Sequence, residues 1–358
     1  MPRPIRATID LAAFRHNYAL AKRHAGQARA WAVIKANAYG HGLLQCAEAI
    51  RDIADGYAML DLADAALLRK AGLTQPILLL EGAFEAADVS EAARLNLGLA
   101  VHQPEQIRML ELARPPAPLD LFLKLNTGMN RLGFRPAEAR HLVERLRNTG
   151  AARSITLMTH FACADEEAGI ADALARFDSG AAGLALPHCV ANSAALLRFP
   201  AAARESVRPG IMLYGASPMP AMMSAEVLDL RPVMQLESRI IGVQELALGA
   251  AVGYGARFVA QQPMRIGVVA CGYADGYPRH APTGTPILID GVRTRTLGRV
   301  SMDMLACDLT GLPQANVGSQ AVLWGKGLPA DEVAAAAETI SYELFCALAG
   351  RVPVAWSF

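Results

Sequence analysis

Lys35 closes an apolar run, Ala32-Val33-Ile34, and turn formers with an aromatic follow it at once, giving AVIKANAYGHG over residues 32–42. A strand that ends on lysine sets an amine where burial is costly unless the group has a partner or a use. An amine held in that way is suited to forming a Schiff base. Further along, Lys124 and Arg131 lie in KLNTGMNRLGF, His160 in MTHFA, Asn192 and Ser193 in ANSAA, and Arg208, Pro209 and Gly210 in VRPGIMLYG. Ser193 offers a hydroxyl, and Gly210 offers a backbone that an anion can approach closely. An amine nucleophile together with an anion cradle suits a phosphorylated aldehyde, and pyridoxal 5'-phosphate is a cofactor of that kind.

The elements that must bring these residues together alternate regularly. After an amphipathic helix at about 11–25, apolar runs at 30–35, 57–60, 76–81, 97–101, 119–125, 154–160, 186–192 and 207–213 read as strands, with helical patterns between them. The runs are continuously apolar, as parallel strands covered on both faces must be. Eight strand–helix units predict an α/β fold, a (β/α)8 TIM-type barrel, whose active site lies at the C-terminal ends of the strands. Every residue named above falls at such an end. Near residue 228 the texture changes to alternating strands separated by Gly, Pro and Asp turns, which predicts a mostly antiparallel β domain over 229–358 after a barrel over 1–228.

Composition narrows the function classes. The chain has 358 residues and a formal net charge of +1. Its basic residues are dispersed, so neither nucleic acid nor a membrane surface is expected as a partner. No run reaches the length of a membrane span, and MPRPIRATIDL has no apolar core of a signal peptide. The six cysteines are at least 26 residues apart, which fits reduced thiols in a cytoplasm. No HExxH or zinc spacing occurs, so no metal is expected. GKG at 325–327 lacks a P-loop frame, and GYADGYPR lacks the GxGxxG spacing.

Each candidate also has an ordinary reading on its own. Lys35 reads as a solvated rim residue, Ser193 as the N-cap of SAALL, Arg208 as a surface ion-pair partner, His160 as a strand-end histidine, and GMNRLGF as a turn. Their coincidence at one barrel mouth favours the joint reading.

The chain resembles the alanine racemase family over essentially its whole length, through AVIKANAYGHG, KLNTGMNRLGF, THFACAD, ANSAA, VRPGIMLYG, VGYGARF, CGYADGYPR, GRVSMDM and ISYE. The resemblance implies a cytoplasmic enzyme that interconverts L- and D-alanine on pyridoxal phosphate and supplies D-alanine for peptidoglycan. It implies Lys35 as Schiff-base lysine and one catalytic base, with Tyr254 in VGYG as the opposing base. Arg208 becomes the partner of the pyridine nitrogen. His160, Tyr39, Ser193, Gly210, Ile211 and Tyr342 complete the cofactor site, the last five at the phosphate. Arg131 and the backbone of Met302 contact the substrate carboxylate, Lys124 is a position often carbamylated, and Tyr273 and Arg299 are entrance residues. The family also implies a homodimer with active sites shared between subunits.

Two departures stand out. Asn126 occupies a position commonly Asp in the family, and RVPVAWSF lacks an arginine common near the C-terminus. The alternatives are a broad-specificity amino-acid racemase, which the lack of a leader disfavours, and a pyridoxal-phosphate carrier, which the β domain disfavours.

Overall fold

The computed structural model describes residues 3–358. Strands Arg29–Val33, Gly56–Met59, Ile77–Leu79, Leu97–Val101, Leu119–Lys124, Ala152–Met158, His188–Cys189 and Ser206–Val207 pair in parallel and close a barrel. The closing register sets Arg29 against Ser206 and Ala30 against Val207. Helices cover the outside, so strands such as Leu97–Val101 are buried at every position, which explains their uninterrupted apolar sequence.

The last two barrel strands are shorter than their apolar runs. VRPGIML leaves the barrel after Val207, and Ile211–Tyr214 forms a 3-10 turn. Pro209 has no N–H to give a ladder, and its carbonyl instead accepts from the Val33 amide at 3.1 Å. The first strand likewise stops at Val33, so Lys35 starts the following turn and lies outside the strand.

Beyond the barrel, an eight-stranded sheet is built around the long strand Met234–Leu246. Its first part pairs with Gln320–Trp324 and its second with Met264–Val269, with a register shift between Ile240 and Gly242. The sheet is antiparallel with one exception. Arg6–Asp10 pairs antiparallel with Met234–Leu246 and parallel with Val354–Ser357. The sheet of the β unit therefore takes in a strand from the N-terminal end of the chain, within 1–228. Texture along the chain carries no information about a partner more than two hundred residues away.

Buried polar groups fasten the first helix to the start of the β unit and the N-terminal segment to the β unit. Asn17, in the first helix Leu11–Ala25, donates to the carbonyls of Leu213 and Arg231 and accepts from the Arg231 amide at 2.9 Å. Asp275 is fully buried, pairs with Arg3 and Arg351, and accepts from the Gly272 amide at 2.9 Å. Hydrogen bonding to those partners holds its carboxyl below the usual range against the opposing effect of burial. Among the described residues no helix is long and apolar enough to cross a membrane, and no cluster of three or more candidate metal ligands occurs. The six cysteines are unpaired.

Gly215 sits in this junction at φ +81, and a Cβ there would lie 1.9 Å from the Arg231 carbonyl oxygen. Gly215→Ala is expected to cost about 2–5 kcal/mol, from left-handed strain together with overpacking. Gly249→Ala, at φ +84 with nothing within 4 Å, should cost only the backbone part, about 1 kcal/mol. Urea unfolding of the two variants checks this; equal losses would remove the steric argument.

Candidate active site

A cavity of about 940 Å³ opens at the C-terminal end of the barrel strands. Lys35, Tyr39, Lys124, Arg131, His160, Asn192, Ser193, Arg208, Gly210 and Tyr342 line it. Most of the sequence-predicted residues therefore meet. A second hollow, at the opposite end of the barrel around Arg29, Trp31 and Arg153, holds none of them.

The phosphate-type cradle is built from three pieces. Asn192 caps the helix Ser193–Arg198 by accepting from the Ala195 amide at 2.9 Å, so Ser193 is not the cap. The Ser193 hydroxyl accepts from the Gly210 amide at 2.8 Å, which leaves its own proton free for an anion. The helix's first-turn amides lack intrahelical partners. A Cβ at residue 210 would approach the Tyr39 hydroxyl to 3.0 Å, so glycine keeps the cradle open. Ile211 is wholly buried in the core and does not line the cavity. Tyr342 comes from Ser341–Cys346 in the β unit and stands 5.6 Å, ring to ring, from Tyr39. That short helix is pinned by buried Asp331, which accepts from the Ser341 hydroxyl and from the Ser217 amide. These groups fit a phosphorylated cofactor.

Arg208 is only 5% exposed, so it is no surface ion-pair residue. Its guanidinium donates to the carbonyls of Cys189, Thr159 and Val190 and to Cys189 Sγ at 3.0 Å. All of these partners are neutral, so its charge faces the cavity uncompensated. Lys124 is 8% exposed. Burial, then the charges of Arg208 and Arg131, push its amine down to about 8. Lys35 is lowered too, by burial first and then by Arg131, with Glu81 and Cys346 opposing. Arg131, and not Arg208, is the arginine that acts on the Lys35 amine. His160 is pushed down to about 3 by burial and the surrounding cations, so it is neutral at physiological pH.

Arg131 is presented by a loop that closes on itself. The Asn126 amide donates to Phe134 O and the Phe134 amide to Lys124 O, at 2.8 and 2.9 Å. Asn126 Oδ1 accepts from the Gly128 and Asn130 amides, both at 3.1 Å, and its Nδ2 donates to Asn130 Oδ1. Its work is neutral turn capping, which asks for no charge.

Between Lys35 and Tyr39 the backbone is left-handed at four consecutive non-glycine residues, with φ of 52, 54, 52 and 49 at Ala36, Asn37, Ala38 and Tyr39. Each such residue costs roughly 1–2 kcal/mol, and strain of this kind collects at functional sites.

Besides Ile211, four predicted residues lie outside the cavity. Tyr254, Tyr273, Arg299 and Met302 are all exposed and none lines the cavity; Tyr254 is 73% and Met302 52% exposed. They neighbour one another, however. The Tyr273 amide donates to Ser301 O and the Ala274 amide to Met302 O, while a Cβ on Gly253 would lie 3.7 Å from Arg299 O. Together they make one outward face of the β unit.

Sequence reasoning missed Glu81, His102, Asp165 and Cys346, which also line the cavity. For two of them the signal was present. Glu81 and His102 follow strands Ile77–Leu79 and Leu97–Val101, by the same strand-end rule that singled out Lys35.

Comparison with known proteins covers both units. The family model described as alanine racemase, N-terminal domain, matches residues 9–218, and the one for the C-terminal domain matches residues 233–356. An alanine racemase of Laribacter hongkongensis is 59% identical, over 99% of this chain and 98% of its own length. The crystal structure of the biosynthetic alanine racemase from Pseudomonas aeruginosa superposes with a TM-score of 0.96 at 49% identity, covering 99% of this chain and 100% of that one. The Bartonella henselae alanine racemase with covalently bound pyridoxal phosphate matches with a TM-score of 0.88 at 25% identity, over 99% of this chain and 100% of its own.

Lys124 should titrate at about pH 8 in cofactor-free protein, read as the 13C shift of its reductively methylated amine. Arg208→Met removes one of the charges that hold it down and should raise that midpoint. An ordinary lysine midpoint in the parent protein would refute the electrostatic account.

Proposed function

The chain belongs to the alanine racemase family along both of its units, and on that premise we propose that it interconverts L- and D-alanine with pyridoxal 5'-phosphate at the barrel mouth of a homodimer. D-alanine so formed is available for peptidoglycan. The observation that carries the reading is the pairing of a lowered Lys35 amine with the Ser193–Gly210–Tyr39 cradle inside a cavity of excess positive charge.

The residues that would hold the cofactor are Lys35 at its aldehyde, Arg208 at its ring nitrogen, and Ser193, Gly210, the Ile211 amide, Tyr39 and Tyr342 at its phosphate. When bound, it supplies an electron-accepting ring that makes the α-proton of an attached amino acid acidic. Lys35 takes or returns that proton on one face of the α-carbon, which its lowered proton affinity assists. Tyr254 does the same on the opposite face, as the base that works on L-alanine. Arg208 would donate to the ring nitrogen, and a guanidinium, which holds its own protons, would leave that nitrogen unprotonated and so suit exchange of the proton at the α-carbon. Neutral His160 lies beside Arg208 and adds no competing charge. Arg131 binds the substrate carboxylate together with the Met302 backbone. The Lys124 amine, if carbamylated, becomes an anion that orients Arg131.

Tyr254 and Met302 are exposed in their own chain, which supports an isologous dimer in which Tyr254 of the partner subunit meets Lys35. Tyr273 and Arg299 then fall at the entrance, on the same face.

Initial rates of optical-rotation change across alanine, serine, lysine and arginine test the activity. Alanine should be fastest, and no change with any of the four would reject it. Complementation tests the shared site. Lys35→Ala and Tyr254→Phe homodimers should each be nearly inactive. Refolded together, mixed dimers carry one intact and one doubly damaged site, so roughly a quarter of wild-type sites should return. A mixture proven to contain heterodimers yet as inactive as its parents would mean that both residues act within one chain.

A further inference from the structure

We propose that His41 is a positioning residue that holds the left-handed turn between Lys35 and Tyr39 in the one conformation that aims both side chains into the cavity. The proposal rests on the function assigned above, which makes Lys35 and Tyr39 the two ends of one cofactor grip.

The turn needs an external brace. No glycine lies between Lys35 and Tyr39 to relieve the left-handed backbone, and glycines follow only at 40 and 42. Its backbone bonds to and from the flanking residues run from the Ala38 amide to Ile34 O, Gly40 to Ala36 O, His41 to Ala38 O and Gly42 to Asn37 O, each at 3.0 Å, and none of them is made by a side chain. Asn37 spends its side chain on the next helix, accepting from the Leu43 amide at 2.8 Å. His41 supplies what remains. Its Nδ1 lies 2.8 Å from Tyr39 O and 3.0 Å from Ala38 O. Both are carbonyls, so Nδ1 must carry the proton and donate to the pair. That bifurcated bond pulls together the carbonyls that a right-handed turn would aim elsewhere.

The imidazole is itself locked. It is fully buried, with its ring 4.7 Å from Tyr214 and 5.0 Å from Phe345. Tyr214 stacks on Tyr39 at 4.6 Å and donates its hydroxyl to Val33 O at 2.8 Å. The His41 carbonyl accepts from Trp356 Nε1 at 2.8 Å, so the last strand of the chain holds the same residue from outside. Burial keeps the ring neutral, with its proton affinity pushed down to about 4. Nε2 has no partner, so only the Nδ1 edge is used. A residue serving packing alone would not need a donor at that edge.

Three variants separate a donor from a filler. Asparagine places an amide N–H at the same bond distance from Cα as Nδ1, leucine fills space with no donor, and glutamine carries its amide one carbon too far. Cofactor-free protein is titrated with pyridoxal phosphate by tryptophan fluorescence, then reduced with borohydride and mapped for the labelled lysine. Melting of the cofactor-free protein is followed in parallel.

In the parent protein the label should fall on Lys35. His41→Leu and His41→Gln should weaken cofactor binding by about tenfold or more and spread the label to other lysines, as loss of a buried bifurcated hydrogen bond implies. His41→Asn should stay within about threefold of the parent with the label on Lys35. If all three variants bind as the parent does and differ only in melting temperature, His41 is structural and the proposal fails. It fails equally if Asn is no better than Leu and Gln. Should the leucine variant not fold, the Asn–Gln comparison decides alone. A parent protein that takes no label at Lys35 overturns the cofactor reading itself, which distinguishes that failure from failure of the His41 assignment.

Discussion

Lys35, Lys124, Arg131 and Arg208 share one cavity, and the carboxylates lining it are Glu81 and Asp165. Cations placed so close in a partly desolvated space repel one another, and that repulsion, added to burial, lowers the amines of Lys35 and Lys124. The same excess charge is relieved by an anionic ligand. A phosphate, a substrate carboxylate and a carbamate would each reduce it. The arrangement that makes the lysines reactive is thus also the one that draws in the molecules they act on. Arg208 is the firmest part of it, because a guanidinium whose partners are neutral carbonyls and a thiol sulfur has no carboxylate to offset its charge.

Holding that charge requires strain at one point and bracing around it. The left-handed run from Ala36 to Tyr39 is costly by itself. It is enclosed by His41, Tyr214 and Phe345 from within and by Trp356 from the C-terminal strand. Phe345 and Tyr342 both come from the helix that Asp331 ties to the barrel's last loop. The β unit is therefore part of the barrel's own active-site wall as well as the carrier of the outward face around Tyr254. A barrel without it would lose Tyr342 and the support beneath the turn together.

The strand Arg6–Asp10 explains how the β unit is held in register with the barrel. It lies between Met234–Leu246 and Val354–Ser357 and runs straight into the helix Leu11–Ala25. That helix in turn is fastened through Asn17 to the carbonyls of Leu213 and Arg231. Asp275, clasped by Arg3 and Arg351, anchors the loop that bears Tyr273 beside Met302. The two faces of the β unit, one turned to its own cavity and one turned outward, are thus set by bonds that join both ends of the chain.

What the sequence determined by itself was local and periodic. Continuous apolar runs separated by helical patterns specify a parallel barrel, because only strands covered on both faces can be apolar throughout. The rule that barrel chemistry sits at strand ends then picked out Lys35, Lys124, Arg131, His160, Ser193, Arg208 and Gly210, and these meet in one cavity. Asn126 was visible as a departure, but that its side chain only caps a turn became visible in three dimensions. Tertiary structure alone decided the rest, because the rest depends on distant partners. Pairing of Arg6–Asp10 with a strand beginning at Met234 leaves no periodic trace. The left-handed turn after Lys35 includes two alanines and a tyrosine, whose intrinsic preferences point to a right-handed backbone, so the sequence carries no local sign of it. Exposure of Tyr254 on the outer face of its own chain was likewise invisible in VGYGARF, since a motif records residue types and spacing and not the direction in which a folded domain presents them.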